Sequence, residues 1–354
     1  MAKNSNLAKA KRKKNDEFYT RLSDIENELH HYKHHFKGKV VYCNCDDPSI
    51  SAFWKFFTMN FQDWGLKKLI ATHYEKDEKN FSYKIEMKPG DTWNEEPEKI
   101  PLLCNGDFRS AACIELLKEA DIVVTNPPFS LFREYVAQLM EYEKKFVIIG
   151  SVNAVTYKEF FPLLKNGKVW AGYHFNKTFE FIMPDTYELK GKAYVDEEGK
   201  KHGFVPGIAW YTNLDIKKRH GPLDLRGNYY DPEVNLKYDN YDAIEVSKTG
   251  NIPCDYDGVM GVPITFLDKY CPEQFEILGL LQSSTDEQAG IPNLRFYNDF
   301  KEMRQDMSYT GSGGGKAHGH PVLQGKSKKG NFLYNPVTGE YVHAVYARIV
   351  IRKK

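Results

Sequence analysis

Short apolar runs alternate with segments of helical periodicity along residues 39–150 of the sequence. The apolar runs predict strands at 39–45, 67–72, 102–104, 121–125 and 145–150. Apolar residues at three- and four-residue spacing predict helices at 16–35, 51–60, 110–119 and 130–142. This alternation predicts an α/β fold with a parallel sheet covered on both faces. Because ligands of such sheets bind beyond the carboxyl ends of the strands, residues that follow each strand are the first candidates for a site.

Composition and length place the chain among globular proteins. With 354 residues, 41% of them hydrophobic, the chain is long enough to bury a sizeable core. Its longest apolar runs are far below the roughly 20 residues that cross a bilayer. No apolar segment follows the charged N-terminus, and six cysteines do not make a disulfide framework. We therefore expect a soluble cytoplasmic protein that has no membrane partner.

The net charge of +1 is distributed unevenly along the sequence. Residues 1–14 carry six basic side chains and no acidic one, and residues 301–354 carry ten basic side chains against three acidic ones. The middle of the chain is therefore strongly acidic. Blocks of opposite sign are typical of an anion-binding part attached to a catalytic part. For residues 1–14 taken alone, a solubilising role is the simpler interpretation.

The most informative segment is the predicted strand at 121–125, which ends in Asn126-Pro127-Pro128-Phe129. A simple strand stop is one interpretation, since proline cannot continue a strand ladder. Prolines also make a rigid turn that offers only carbonyl acceptors. The Asn126 side-chain oxygen and the Pro127 carbonyl would accept both hydrogens of an exocyclic amine, which favours its electron-rich, pyramidal form in a displacement transition state. Phe129 would stack on the base, and an already activated methyl donor would make a metal unnecessary.

This tetrapeptide resembles the catalytic motif of amino-group methyltransferases that use S-adenosylmethionine. From residue 14 to the C-terminus the chain resembles the EcoRI-type adenine-specific DNA methyltransferases, and five further segments carry the resemblance: 15–20, 41–48, 105–110, 261–269 and 345–352. The resemblance implies a Rossmann-like fold with a mixed, mainly parallel sheet and a C-terminal target-recognition region. It also implies methyl transfer to adenine N6 in double-stranded DNA after the base is flipped out of the stack.

The resemblance further assigns the first part of a cofactor site. Phe18, Tyr19 and Thr20 would form the N-terminal cofactor motif, with Phe18 or Tyr19 near the methionine end. Asp46 and Asp47, directly after the first strand, would hold the methionine ammonium or order the loop around it. Carboxylates are suitable there because they accept hydrogen bonds from the donors of this cofactor.

Three more residues complete the implied cofactor site. Glu75 occupies the position of the carboxylate that accepts the ribose hydroxyls, Asp107 that of the adenine amino acceptor, and Phe108 is its neighbour. For Asp47 and Glu75, capping of turns or helices is an equally good interpretation. The turn at 44–49 contains no glycine, unlike the corresponding turn in most methyltransferases of this fold.

The motif order suggests three parts of the chain. Residues 1–37 would form a basic arm and a helix with the cofactor motif, residues 38–220 the catalytic domain, and residues 221–354 the DNA-binding region. Trp210 and Tyr211, in a predicted strand, are candidates for a second wall of the base pocket, with core packing as the alternative.

A Gly-, Lys- and His-rich loop at 310–331 is expected to contact DNA phosphates, or else to be disordered. Its candidate cations are Lys316, Lys326, Lys328 and Lys329. His30, His31, His34 and His35 have ligand-like spacing, but no acidic or cysteine partner is near them in sequence, so we expect no metal site.

Several alternatives remain at this stage. The same tetrapeptide occurs in methyltransferases that act on RNA bases or on glutamine side-chain amides. A catalytically silent DNA-binding protein and a nuclease are alternatives from other classes. We expect a monomer, with a cognate restriction endonuclease as a possible partner.

Overall fold

The computed structural model describes residues 18–45, 47–75, 81–92, 97–183, 187–229, 236–282, 295, 297–314 and 319–354. The chain divides into two compact units. The first comprises Met1–Ala154 and Lys168–Ile216, and the second comprises Val155–Gly167 and Lys217–Lys354. Within the described ranges, no helix is long and apolar enough to cross a membrane.

The first unit is built on one eleven-stranded sheet. Its strands are β1 (Tyr19–Thr20), β2 (Val40–Cys43), β3 (Lys68–Thr72), β4 (Tyr83–Met87), β5 (Ile100–Pro101), β6 (Ile122–Thr125), β7 (Lys145–Ser151), β8 (Trp170–Ala171), β9 (Lys177–Met183), β10 (Tyr194–Val195) and β11 (Lys201–Thr212). Their order is β1-β9-β11-β7-β6-β2-β3-β4-β5, and β8 and β10 both pair with β11. The helices of this unit are α1 (Leu22–Leu29), α2 (Lys33–Phe36), α3 (Ala52–Asn60), α4 (Ala111–Glu119) and α5 (Phe132–Glu141), and His30–Tyr32 form a 3₁₀ turn.

Four central strands, in the order β7-β6-β2-β3, are mutually parallel. Their residues are almost all buried, as expected for parallel strands with both faces covered. The flanking strands β4, β5, β9 and β11 run antiparallel to their neighbours, so the sheet is mixed. The α/β class with a large mixed sheet is thus confirmed. The sheet is not mainly parallel, since three of its described strand pairings are parallel and seven are antiparallel.

The strand predicted at 102–104 is wrong. The edge strand β5 is Ile100–Pro101 instead, and Leu103 is fully exposed. The apolar run at 102–104 is therefore not a buried strand. The sequence interpretation also missed β4, although its residues alternate between buried and half-buried positions with a period of two. Such alternation is typical of an antiparallel strand.

The helix predicted at 16–35 begins later, at Leu22, because Tyr19 and Thr20 pair with Ile182 and Phe181 of β9. Its predicted apolar face is confirmed, since Ile25, Leu29 and Tyr32 are fully buried.

The strand predicted around Trp210 and Tyr211 is present as part of β11. Both rings are fully buried in the core, where Trp210 packs against Phe53 and Tyr211 against Phe132. The packing alternative is therefore the one observed, and neither ring provides a wall of an open pocket.

The second unit contains two smaller sheets. One has the order β12-β13-β20-β14 and the other β16-β15-β18-β19-β17. Their strands are β12 (Ile244–Glu245), β13 (Met260–Pro263), β14 (Phe275–Leu281), β15 (Lys301–Met303), β16 (Tyr309–Gly313), β17 (Val322–Gln324), β18 (Phe332–Tyr334), β19 (Tyr341–Ala344) and β20 (Arg348–Lys353). Helix α6 (Phe161–Lys165) and the 3₁₀ turns Lys217–His220, Thr249–Asn251 and Ile264–Lys269 complete this unit.

Residues 155–167 belong to the second unit through hydrogen bonds with β14 and its C-terminal end. Lys165 Nζ donates to the Leu278 carbonyl at 2.6 Å, and Gln282 Nε2 donates to the Thr156 carbonyl at 2.7 Å. These contacts join segments more than a hundred residues apart in sequence, so no local sequence pattern predicts them.

Candidate active site

The turns after β2 and β6 are tied together at the carboxyl edge of the parallel strands. Thr125, the last residue of β6, donates its hydroxyl to the Asn44 carbonyl. Tyr135 on α5 donates its hydroxyl to Asn44 Oδ1, and Asn44 itself is almost completely buried. Asn44 thus joins the turn after the first parallel strand to the strand and helix that flank the Asn-Pro-Pro-Phe segment.

Asn126 is the first residue after β6 and is 7% exposed. Its Nδ2 donates to the Phe18 carbonyl at 2.6 Å. A carbonyl can only accept, so this contact fixes which end of the amide is nitrogen. The opposite atom, Asn126 Oδ1, is buried and has no hydrogen-bond partner among the described residues. A buried acceptor without a partner lowers the stability of the fold by about 1–3 kcal/mol. This oxygen is therefore a candidate to accept a hydrogen bond from a ligand.

The two prolines that follow hold the turn between β6 and α5. The Pro128 carbonyl accepts from the Leu131 N–H at 2.9 Å and closes the turn. Pro127 is buried beside Asn126, and among the described residues its carbonyl has no main-chain donor. Asn126 and Pro127 are thus consecutive residues that each carry an acceptor without a described donor, and their use in binding an amine stays a prediction.

The Phe129 ring is 5% exposed and packs into an aromatic cluster. It lies edge-on to Phe18, with ring centroids 6.0 Å apart, and to Phe181, at 6.5 Å. In this arrangement the ring fixes the position of the motif against β1 and β9. Stacking of Phe129 on a base stays a prediction.

The N-terminal motif lies directly beside Asn126. Phe18 supplies the carbonyl that Asn126 binds, and Tyr19 and Thr20 form β1 at the end of the sheet. The hydroxyl of Thr20 is a second buried polar atom that lacks a hydrogen-bond partner in the described part of the chain. The structure therefore brings together two motifs that are more than a hundred residues apart in sequence.

The turn after β2 reverses without a glycine because Cys45 adopts a left-handed conformation, with φ of 63°. A non-glycine residue in this region costs roughly 1–2 kcal/mol, which points to a functional constraint on the turn. Asp46 lies outside the described residues. Asp47 Oδ1 accepts from the Ser49 backbone N–H at 2.9 Å and from its hydroxyl at 2.7 Å, so Asp47 does cap this turn.

His73, the first residue after β3, lies between two of the predicted cofactor carboxylates. Its Nδ1 is 3.3 Å from Asp47 Oδ2 and its Nε2 is 3.5 Å from Glu75 Oε2. The Nδ1 contact lacks hydrogen-bond geometry, and this buried nitrogen has no hydrogen-bond partner among the described residues. The His73 ring stacks on Tyr83 of β4, with centroids 4.8 Å apart. Asp47 and Glu75 therefore face one region of the carboxyl edge.

The loop that carries Asp107, the third predicted carboxylate, reaches the same region through a close approach of its backbone. The Glu75 N–H donates to the Asn105 carbonyl at 2.9 Å. Gly106 has a φ of +78°, and a Cβ there would lie 2.1 Å from the His73 carbonyl oxygen, so only glycine fits. This approach places the loop that carries Asp107 against the residues that follow β3.

Asp107 is held by Arg109. Its Oδ1 accepts from the Arg109 backbone N–H at 2.9 Å and from Nε at 2.8 Å, and its Oδ2 accepts from Nη2 at 2.6 Å. These hydrogen bonds lower the pKa of Asp107, so it is ionised at neutral pH. Arg109 Nη1 also lies 3.2 Å from Glu134 of α5. Phe108 is buried edge-on against Tyr135, at 5.1 Å.

Sequence reasoning missed three residues that organise this site: Asn44, His73 and Arg109. Asn44 and His73 each directly follow a parallel strand, so the rule that singled out Asn126 applied to them as well. Arg109 had no such signal, because its role depends on the conformation of the loop. Among the described residues, no group of His, Cys, Asp or Glu side chains could hold a metal ion.

The family model described as adenine-specific methyltransferase EcoRI matches residues 6–354. The chain is 51% identical over 304 residues to Type II methyltransferase M.EcoRI of Escherichia coli, an alignment that covers 82% of this chain and 93% of that protein.

A second curated relative is more distant. The chain is 42% identical over 277 residues to Type II methyltransferase M.MpnI of Mycoplasma pneumoniae, covering 77% of this chain and 85% of that protein. No solved structure matches significantly. The family model spans nearly the whole chain, including both units and every residue of the candidate site. The chain therefore belongs to the EcoRI family of adenine-specific methyltransferases.

Proposed function

We propose that this site-specific DNA methyltransferase transfers a methyl group from S-adenosylmethionine to N6 of an adenine that has left the DNA stack. The observation that carries the proposal is Asn126, whose amide nitrogen is bonded to Phe18 and whose buried oxygen is left without a partner. Asn126 Oδ1 and the Pro127 carbonyl would accept the two N6 hydrogens. This favours the amine with a localised lone pair over its planar, delocalised form.

The residues at the carboxyl edge fit the proposed cofactor. S-adenosylmethionine carries an ammonium, ribose hydroxyls and an adenine amine as donors, and it supplies an activated methyl group. Asp47 and Glu75 are carboxylates that face this edge, and the loop that carries Asp107 packs against the residues after β3. The Thr20 hydroxyl is a buried group with unused hydrogen-bonding capacity. The order of the parallel strands and the following helices supports a Rossmann-like class of fold for the first unit.

The Asn-Pro-Pro-Phe segment contains no side chain that could act as a general base. When bound, S-adenosylmethionine would supply the methyl group and would leave as S-adenosylhomocysteine. The methylated N6 would then carry the positive charge and would lose one of its two protons to solvent. Both protons would be held by acceptors in the transition state, so charge stabilisation by Asn126 and Pro127 would be the main contribution of the protein.

We further propose that residues 221–354 read the DNA sequence, that residues 38–220 carry catalysis and that residues 1–37 supply the basic arm and the cofactor motif. The excess of seven positive charges over residues 301–354 supports DNA binding by the C-terminal region. One chain contains both proposed functions, which supports a monomer. A cognate restriction endonuclease is the partner expected of a Type II enzyme.

The test is incubation of the purified chain with S-adenosylmethionine carrying a labelled methyl group and, in parallel, with duplex DNA, RNA and protein. We expect label in N6-methyladenine of the DNA. Label only in RNA or in a glutamine side chain would select one of the alternative substrates. Absence of label from every substrate would contradict the enzymatic function.

A further inference from the structure

The second unit contains a cavity of about 380 Å³ that the proposed catalytic site does not use. It lies against the five-stranded sheet and is lined by Glu302 of β15, Phe332 of β18, His320, Asn331, Val345 and Tyr346. Its volume falls in the range of small-molecule sites, which is about 300–1,000 Å³. A groove that only follows a duplex surface would not need a cavity of this size.

The lining combines an apolar floor with an exposed aromatic ring. Phe332 and its neighbour Leu333 are buried, whereas Tyr346 is 54% exposed at the cavity. A large aromatic ring left half in water at a cavity offers a surface on which a planar ligand can stack. Stacking on such rings is the usual way in which proteins hold unpaired bases.

Polar groups at the cavity suit the edge of a nucleobase. Glu302 accepts from Asn331 Nδ2 at 3.2 Å and from the Thr310 hydroxyl at 2.8 Å, so its carboxylate is fixed in place. The Nδ1 atom of His320 is buried and has no hydrogen-bond partner in the described ranges. Burial lowers the pKa of His320, so the ring is neutral at pH 7. A neutral imidazole can donate one hydrogen bond to a ligand or accept one from it.

Cations flank the same sheet. Lys326 Nζ lies 5.5 Å from the Phe332 ring centroid and 4.5 Å from that of Tyr341. Lys301 of β15 lies 5.8 Å from the ring of Tyr309. An aromatic cavity with one carboxylate, on a sheet that carries lysines, matches a nucleotide in a DNA strand, with its base inside and its phosphate near the lysines.

We propose that this cavity binds one unstacked nucleobase of the DNA substrate, with Tyr346 as the stacking surface. This inference rests on the proposed function for its choice of ligand. Because methyl transfer already requires one base to leave the stack, a second site for an unpaired base would stabilise the opened duplex. We assign it a base distinct from the adenine at Asn126, because the residues of the cavity belong to the second unit and Asn126 belongs to the first.

The test combines removal of a base with removal of the ring. The methylated sequence is first located on DNA modified by the full-length chain. Duplexes that lack a single base, at each position in turn, are then titrated against the wild type and Tyr346→Ala. We expect that one position other than the target adenine weakens wild-type binding by about tenfold or more. In Tyr346→Ala the loss at that position should vanish.

Two controls make the result specific. Tyr309→Ala removes an equally exposed tyrosine of the same sheet that does not line the cavity, and it should leave the abasic profile unchanged. Tyr346→Phe keeps the stacking ring and should behave as the wild type.

Each remaining outcome has a clear meaning. If the DNA is methylated but no abasic position couples to Tyr346, the cavity proposal is overturned and the proposed function stands. If a free mononucleotide competes in a Tyr346-dependent manner without such coupling, the cavity takes a free nucleotide and the DNA proposal is again overturned. If no DNA is methylated, the proposed function fails. Wild type and Tyr346→Ala are then titrated with mixed-sequence duplexes with and without abasic sites, and equal affinities of both proteins for both kinds of duplex would overturn the cavity proposal as well.

Discussion

At the scale of single residues, the candidate site contains buried polar atoms whose hydrogen bonds are not completed within the described protein. Asn126 Oδ1, Thr20 Oγ1 and His73 Nδ1 are all of this kind, and all three lie on residues next to or within the strands at the carboxyl edge. Such atoms lower the stability of the free protein and are suited to bind a ligand. Stability and binding should therefore respond differently to their removal.

Thr20→Val tests this difference. Valine has the same shape, and it replaces a hydroxyl that makes no hydrogen bond in the described structure. We expect the free energy of unfolding to stay the same or to rise, by up to about 1–3 kcal/mol, because no intramolecular bond is lost and a buried unpaired hydroxyl is removed. Affinity for S-adenosylmethionine should fall by about tenfold, as one hydrogen bond to the ligand is removed. Chemical denaturation and calorimetric titration measure the two effects.

Thr212→Val is the matched control. The Thr212 hydroxyl is fully buried, donates to the Phe146 carbonyl at 2.7 Å and accepts from the Leu214 N–H at 3.0 Å. This variant should lose about 1–3 kcal/mol of stability, because it leaves those groups unpaired. Equal destabilisation by the two substitutions would contradict the assignment of Thr20 to ligand binding.

At the scale of elements, the four parallel strands were readable from sequence and the antiparallel strands around them were not. Buried parallel strands are continuous apolar runs, a strong local signal. Strand β1 has only two residues, and it is a strand because of its pairing with β9. The contact between Asn126 and Phe18 likewise depends on that pairing, so no local pattern could have predicted it. Most candidate site residues could nevertheless be proposed one by one from sequence, because each follows a strand or belongs to a recognisable motif, and their roles stay predictions.

The ion pairs between β3 and β4 predict that the free energy of unfolding depends on pH. Glu86 of β4 lies 2.8 Å from Lys68 Nζ of β3 and 2.6 Å from Lys84 Nζ, and its side chain is 10% exposed. Burial alone would raise the pKa of Glu86, but the hydrogen bonds from these lysines outweigh it and lower the pKa to about 2. The folded pKa thus lies below the unfolded value of about 4.3. The stabilisation should be complete above pH 4.3 and should disappear as the pH falls towards 2.

Glu86→Gln should therefore be less stable than the wild type at pH 7, by about 1 kcal/mol once solvent screening is included. The difference should shrink steadily below pH 4, as measured by urea denaturation. Glu119→Gln is the control, since Glu119 binds the same Lys68 at 2.8 Å but is 43% exposed, and its effect should be smaller. A Glu86→Gln effect that grows in acid would show that this carboxylate is not stabilised by the lysines.

At the scale of the whole molecule, the near-neutral net charge conceals a division along the sequence. Residues 301–354 carry most of the positive excess outside the N-terminal segment, while the residues between are acidic and contain the candidate cofactor site. The dissociation constant for DNA should therefore rise steeply with salt, because binding releases counterions from phosphates.

Of the four candidate cations, Lys316 lies outside the described residues, whereas Lys326, Lys328 and Lys329 are exposed and allow a direct test. Their combined replacement by glutamine should reduce the slope of log affinity against log salt by about 0.9 for each lysine that contacts a phosphate. Fluorescence anisotropy with a labelled duplex between about 50 and 200 mM salt measures the slope.

The control triple variant carries glutamine at three lysines of the first unit that are about half exposed, Lys33, Lys39 and Lys118. It changes the net charge by the same amount and should leave the slope close to that of the wild type. Equal reductions in both variants would indicate a response to net charge alone and would contradict DNA binding by the C-terminal lysines.

Asn126→Ala separates methyl transfer from cofactor binding, because the transfer rate and the affinity for S-adenosylmethionine are measured in separate assays. We predict that transfer of labelled methyl to DNA falls by at least about 10²–10³-fold, because one of the two amine acceptors is lost. The affinity for S-adenosylmethionine should change by no more than a few fold. Asn60→Ala, which removes a partly buried amide of α3 that bonds only the Phe56 carbonyl among the described contacts, should retain full activity. Methyl transfer by Asn126→Ala at the wild-type rate would show that the amine is bound elsewhere.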